Sequence, residues 1–196
     1  IYDYRFSYDD TNSSASSIDS NGHCWQYFHD SRNLLLKKVA PDGATWQYSW
    51  NKLGKKISEI LPDGSKTRFY YNEHGQLATL EQADGAITHL QYNELGQRSV
   101  IIDAEGRQWR RQYSAAGLML SETAPDNSVT RYQYDSNNQL EKVYLPGGGV
   151  QRLLWSDENQ LLALKHNDAI TRYSYDNLGR LNGIIDASGL VTEYQY

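Results

Sequence analysis

Carboxylates at a fixed spacing are the first groups in this chain that could do chemistry. Asp42, Asp63, Asp84, Glu105 and Asp126 recur every 21 residues, and paired carboxylates are the apparatus of general acid–base and glycosidic chemistry. Catalysis needs one such pair and gains nothing from equivalent copies, whereas short acidic side chains accept turn hydrogen bonds. The repetition therefore reads as structure. His23, Cys24 and His29 make the nearest approach to a metal-binding group, and His74, His89 and His166 add no HExxH-type spacing. Neighbouring strand residues point to opposite faces, so His23 and Cys24 are poorly placed to share an ion. Gly147, Gly148 and Gly149 lack the Lys-Ser/Thr of a phosphate loop and follow Pro146, which makes them a loosened turn. Arg68, Arg110, Arg131, Arg152 and Arg172 form a basic column. It suits either an acidic cargo or polyanion or, more simply, a solvated face whose arginines pair with Glu or Asp across strands. No catalytic, cofactor-binding or metal-ligating residue is expected, and the chain is expected not to be an enzyme.

The elements that carry these groups repeat with the same beat. From Tyr8, steps of 21 reach His29, Trp50, Tyr71, Tyr92, Tyr113, Tyr134 and Trp155; a step of 20 reaches Tyr175, and one of 21 reaches Tyr196. Two residues before each lies a second column, from Phe6, Tyr27 and Tyr48 to Tyr173 and Tyr194. Two earlier again a third runs from Tyr4, Trp25 and Trp46 through Trp109 to Thr171 and Thr192. All 5 Trp fall in these columns. Gly22, Gly43, Gly64, Gly85, Gly106, Gly148 and Gly189 precede each aromatic run. Gly54, Gly75, Gly96, Gly117 and Gly179 follow it, with Asn12, Asn33, Asn138 and Asn159 in the remaining places. Asn is the best substitute for Gly where φ must be positive. Pro41, Pro62, Pro125 and Pro146 share one column as well.

Thr171, Tyr173 and Tyr175 alternate with Arg172, Ser174 and Asp176, the period of a strand with one aromatic and one polar face. A second short strand follows at Arg180 to Asp186, and likewise at Gln139 to Leu145. Turns such as Asp176-Asn177-Leu178-Gly179 join the two, and turns such as Pro62-Asp63-Gly64 join one unit to the next. The expected fold is all-β: a meander of about nine antiparallel hairpins over residues 1–196, one segment of a wide curved sheet. About nineteen strands at roughly 4.8 Å spacing make a ribbon on the order of 90 Å wide, and open sheets of that width curl. Tyr and Trp repeating in every unit are read as ladders packing the sheet, in preference to a sugar-stacking platform, and the aromatic face can line either side of such a wall. The Ser-rich stretch Ser13–Ser20 is expected to be an irregular hairpin or an insertion point.

Composition agrees. There are 16 Tyr and 5 Trp against 3 Phe, with a mean hydropathy of −0.73, which favours half-exposed sheet over a deep core. A net charge of −5 and a pI near 5.5 argue against a nucleic-acid surface. No run approaches the roughly 20 apolar residues of a membrane-spanning helix. The start at Ile1, Tyr2 and Asp3 has neither an initiator Met nor a basic signal region, which suits an internal piece of a longer protein. Cys24 has no partner for an intrachain disulfide and is expected to be a free thiol made in a reducing compartment.

The unit Thr171–Leu181, reading Thr-Arg-Tyr-Ser-Tyr-Asp-Asn-Leu-Gly-Arg-Leu, resembles the YD repeat of Rhs proteins, of insecticidal toxin complex C components and of teneurins. The resemblance runs from about Tyr4 to Tyr196. It implies a spiralling β-cocoon that encloses a C-terminal toxin domain, made in the bacterial cytoplasm and then secreted or displayed at the cell surface. Its partners would be the remainder of the shell, the enclosed toxin domain and secretion-system components, with self-association through open sheet edges. The Asp of the motif stands at Asp9, Asp30, Asp135 and Asp176 but is Asn51, Asn72, Asn93, Ser114 or Ser156 elsewhere. The family's autoproteolytic Asp-Pro-x-Gly-Leu signature and any toxin-like segment are absent from these residues. The expected role is thus a non-catalytic shell segment; the alternative is a cell-surface adhesion or carbohydrate-binding repeat module.

Overall fold

The computed structural model describes residues 5–9 and 13–196. Tyr4 of the third aromatic column and Asn12 of the turn column lie outside the described residues. Contacts divide the chain into two units: one runs to Gln91 and adds Ile102–Gly106, the other comprises Tyr92–Ile101 and Arg107–Tyr196. The first unit contains β1 (Arg5–Asp9), β2 (Ser14–Ile18), β3 (Cys24–His29), β4 (Leu35–Val39), β5 (Thr45–Trp50), β6 (Lys56–Ile60), β7 (Lys66–Tyr71), β8 (Leu77–Glu81) and β9 (Ile87–Tyr92). The second contains β10 (Arg98–Ile102), β11 (Gln108–Tyr113), β12 (Met119–Thr123), β13 (Val129–Tyr134), β14 (Leu140–Tyr144), β15 (Val150–Trp155), β16 (Leu161–His166), β17 (Ala169–Tyr175), β18 (Leu181–Ile185) and β19 (Val191–Glu193). No helix occurs among the described residues. In the first unit each strand pairs antiparallel with the next from β1 to β9. In the second the same holds from β11 to β19. The expected all-β meander of hairpins is the observed fold.

One turn design makes most of these connections. In Leu61-Pro62-Asp63-Gly64-Ser65 the Gly64 N–H donates to Leu61 O at 2.9 Å, and Leu61 N–H donates to Ser65 O at 2.9 Å. Asp63 Oδ1 accepts the Ser65 N–H at 2.9 Å. Pro presets the first corner, and the left-handed residue at φ 85° closes the loop into the next strand. Asn127 holds the same place at φ 64°, a substitution that the glycine column alone did not reveal. The single 20-residue step also has a structural origin: His166 pairs with Ala169, so only Asn167 and Asp168 span the turn, with Asn167 at φ 56°.

A Cβ on Gly64 would meet nothing within 4 Å, so any penalty there is conformational. Gly64→Ala is expected to lower unfolding stability by about 1 kcal/mol, and Gly64→Asn by about half that. Urea melts of the three proteins check this, and equal midpoints would refute the turn argument.

The Ser-rich segment departs from expectation. β2 pairs on both sides without a register shift, from Arg5↔Ile18 to Asp9↔Ser14 and from Ser14↔Phe28 to Ile18↔Cys24. Backbone ladders on two edges need no apolar side chains, and Ser17, opposite Trp25, is only 5 % exposed. Elsewhere burial is shallow. Among the described residues only Ala40 and Val143 are buried hydrophobics, and no side chain is fully buried. The strands pack mainly through cross-strand neighbours.

Candidate functional site

The repeated feature that organises the sheet is a bond from the last aromatic of one hairpin to the hairpin before it. In β5 and β6 the register slips between Ser49 and Trp50, so Ser49 faces Ser58, Trp50 faces Lys56, and Ile57 is left over. Such a bulge breaks the ladder locally. Pairing of β6 with β7 accordingly stops at Ser58↔Arg68. The Lys55 carbonyl accepts the Asn51 N–H at 2.9 Å, leaving the Lys56 carbonyl to face β7. There the Tyr71 hydroxyl donates to Lys56 O at 2.7 Å, in place of a backbone N–H.

The same bond recurs through both units. Trp50 Nε1 donates to Leu35 O at 2.7 Å, and Trp155 Nε1 to Leu140 O at 2.8 Å. The hydroxyls of Tyr113, Tyr134, Tyr175 and Tyr196 donate to Arg98 O, Met119 O, Leu161 O and Leu181 O at 2.9, 3.0, 3.0 and 2.9 Å. A column that holds Tyr and Trp, His29 once, and no Phe is thereby explained: what is required is a ring with a donor at its far end. Burial pushes the Tyr134 phenol above its ordinary value.

The aromatic face is filled in by cations. Lys38, directly opposite Trp46, sits 4.3 Å from the Trp46 ring and 4.9 Å from that of Trp25. The two indoles are themselves 5.8 Å apart. Lys56 lies 4.8 Å from the Phe69 ring and pairs with Glu59 at 2.6 Å. In the second unit Arg111 and Glu122 are cross-strand partners at 2.6 Å. That hydrogen bond, more than the charge of Glu122, raises the Arg111 guanidinium above its ordinary value. The ammonium ends of Lys38 and Lys56 thus lie over ring faces, and Lys56 and Arg111 also pair with carboxylates.

The carboxylate columns are occupied by turns. Asp42, Asp63, Asp84 and Asp126 each accept the N–H two residues on, at 2.9–3.0 Å. Glu105 differs, for its own N–H donates to Asp103 Oδ1 at 3.1 Å. The Asp of the YD motif serves the other turn: Asp176 Oδ1 accepts the N–H groups of Leu178 and Arg180, both at 2.9 Å. Asn51 and Asn93 make the same pair of bonds, and Ser114 and Ser156 accept through Oγ. The Asn and Ser departures from the motif thus still supply an oxygen that accepts turn N–H groups, without the carboxylate's charge. Successive turns are also tied to one another, by Arg32 Nη1 to Asn51 O at 2.9 Å and Gln97 Nε2 to Gly117 O at 2.7 Å. Residue types alone did not signal those ties.

The remaining candidates separate. His23 Nδ1 meets Asp19 Oδ2 at 3.0 Å, and among the described residues no three His, Cys, Asp or Glu gather as a metal-holding group. Gly147 to Gly149 form the expected turn, with Gly148 N–H on Leu145 O at 3.2 Å. The arginine column divides: Arg68 pairs with Glu81 and Arg110 bonds Gln108, whereas Arg131, Arg152 and Arg172 meet no acidic side chain among the described residues.

A bulged hairpin closed by an Asx turn and clasped by the next Tyr or Trp defines a class of repeat in which the motif residues build the wall itself. The family model described as Teneurin YD-shell matches residues 3–158, and the chain belongs to that family. Its role at that level is structural, that of a shell segment. Among solved structures the chain is similar to the Photorhabdus luminescens Tc holotoxin pore with a TccC3 mutation, at 15% identity and TM-score 0.39, over 98% of this chain and 16% of that one. It is similar to TcdB2-TccC3 without its hypervariable C-terminal region at 15% identity and TM-score 0.38, over 100% and 17%. A porin-like protein from Bacteroides uniformis matches at 12% identity and TM-score 0.40, over 97% and 92%. The chain thus spans about a sixth of the Tc chains it matches. No curated protein matches it.

Proposed function

We propose that this chain, residues 1–196, is one stretch of the wall of an Rhs-type YD shell that encloses and sequesters a C-terminal toxic passenger before its delivery, and that it performs no reaction. The observation that carries the reading is the recurrence of the ring-to-carbonyl bond in both units, at Trp50, Tyr71, Tyr134 and Trp155 among others. Together with the Asx turns it engages the motif's hydroxyls, indoles and carboxylates in the fold. A wall needs this, while an active site needs one place where the pattern is broken for a chemical reason. The partners of such a segment are the rest of its shell, the passenger within and the machinery that exports the whole. The adhesion or lectin reading draws less support, because the polar ends of many rings are already bonded to backbone and are closed to a sugar.

Protease treatment of the intact protein that contains this segment tests enclosure. The passenger should survive for a time in which the isolated passenger is fully degraded. Digestion at equal rates would sink the proposal.

A further inference from the structure

The second unit carries a cationic row that the fold does not neutralise. Lys142, Arg152 and Lys165 stand directly opposite one another on β14, β15 and β16, so one face presents three like charges on three adjacent strands. Arg172 joins them from β17, where it faces Ala163. Like charges in register oppose pairing, and sheets ordinarily place an acid between them, as Glu81 does for Arg68 in the first unit. Among the described residues that line this face, the one acid is Glu141, 3.0 Å from Lys142 and also held by Gln133. The side chains of Arg152, Lys165 and Arg172 have no hydrogen-bond or ion-pair partner among the described residues. All this occurs in a chain of net charge −5.

Between the cations lies a concavity of about 410 Å³ floored by Leu154, Ala163 and Ile170. Leu154 is 60 % exposed, a large aliphatic side chain left in water amid positive charge. No aromatic ring lines the concavity. Stacking on a base or a sugar ring is therefore not on offer, and a nucleic acid or glycan would have charge attraction alone. An aliphatic floor with a cationic rim complements a peptide that carries carboxylates beside an aliphatic side chain.

We infer that this face of β14–β17 binds an extended acidic polypeptide segment: its carboxylates engage Arg152, Lys165 and Arg172, and one aliphatic side chain covers Leu154. The inference is independent of enclosure, since the face is complete within one unit whether or not the wall surrounds anything.

Fluorescence anisotropy of the full chain with a fluorescein-labelled peptide that carries glutamates and one leucine at every second position, with serine between them so that all share one face when extended, tests it. Saturable binding in the micromolar range, weakening as salt rises, is expected. Arg152→Gln with Lys165→Gln should weaken it about tenfold or more, while Arg68→Gln in the first unit leaves it unchanged. Should the double variant fail to fold, Leu154→Glu at its exposed position must produce the same loss. No binding, undiminished binding by the folded variant, or tighter binding of a heparin fragment or an oligothymidylate would overturn the inference.

Discussion

Trp155→Ala is expected to destabilise the second unit by about 3.5 kcal/mol. Half-burial of an indole removes roughly 100 Å² from water, worth about 2.5 kcal/mol. Truncation also orphans the Leu140 carbonyl, which Trp155 Nε1 holds at 2.8 Å, for about 1 kcal/mol more. Two further substitutions separate ring from donor. Trp155→Phe keeps most of the ring and loses the bond, so it should cost about 1–2 kcal/mol. Trp155→Tyr restores a donor, as Tyr134 does for Met119 O at 3.0 Å, and should cost less than Phe. Urea unfolding orders the three, and identical values for Tyr and Phe would show that the bond is incidental. Because each repeat leans on its neighbours, amide exchange should quicken in β13–β16 and stay unchanged in β2–β7. Uniform quickening would contradict that locality.

Most of the fold is legible in the sequence because the two things a hairpin must specify, its faces and its corners, are written in residue types. Tyr48 and Trp50 fix a face by alternation, and Pro62-Asp63-Gly64 fixes a corner by its φ requirements. What a linear reading does not contain is pairing partners. The bulge at Ile57 exists only relative to β5, so the carbonyl it frees, and hence the reason Tyr71 needs its hydroxyl, emerges only once the register is known. The arginine column shows the same limit. Arg68 and Arg152 occupy equivalent positions, yet register sets one against Glu81 and the other against Lys142 and Lys165. The Ser-rich β2 is regular despite its low apolar content, because the neighbours on both sides supply its ladder, and apolar content does not encode that.

Acid should undo this architecture through its turns. Asp30 and Asp176 are held below the ordinary carboxylate value chiefly by backbone N–H groups, of Leu34 and Arg180, with the nearby Arg32 and Arg180 guanidiniums adding to the effect. Asp19 and Asp63 are lowered first by the backbone N–H groups of His23 and Ser65, and Asp126 and Asp186 first by the side chains of Ser128 and Ser188. A carboxylate with a depressed folded value stabilises the fold fully above its unfolded value of about 3.9 and loses that contribution as pH falls through the folded one. Thermal midpoints should therefore be level from about pH 5 to 8 and drop steeply below about pH 4. Asn51 and Asn93 already close the same turn with a neutral amide oxygen, so Asp30→Asn with Asp176→Asn keeps the acceptor while removing the proton-binding group. The double variant should melt slightly lower at neutral pH, having lost its charge on Arg32 and Arg180, but decline less steeply in acid. An acid limb as steep as the parent's would place the titrating groups outside these two turns.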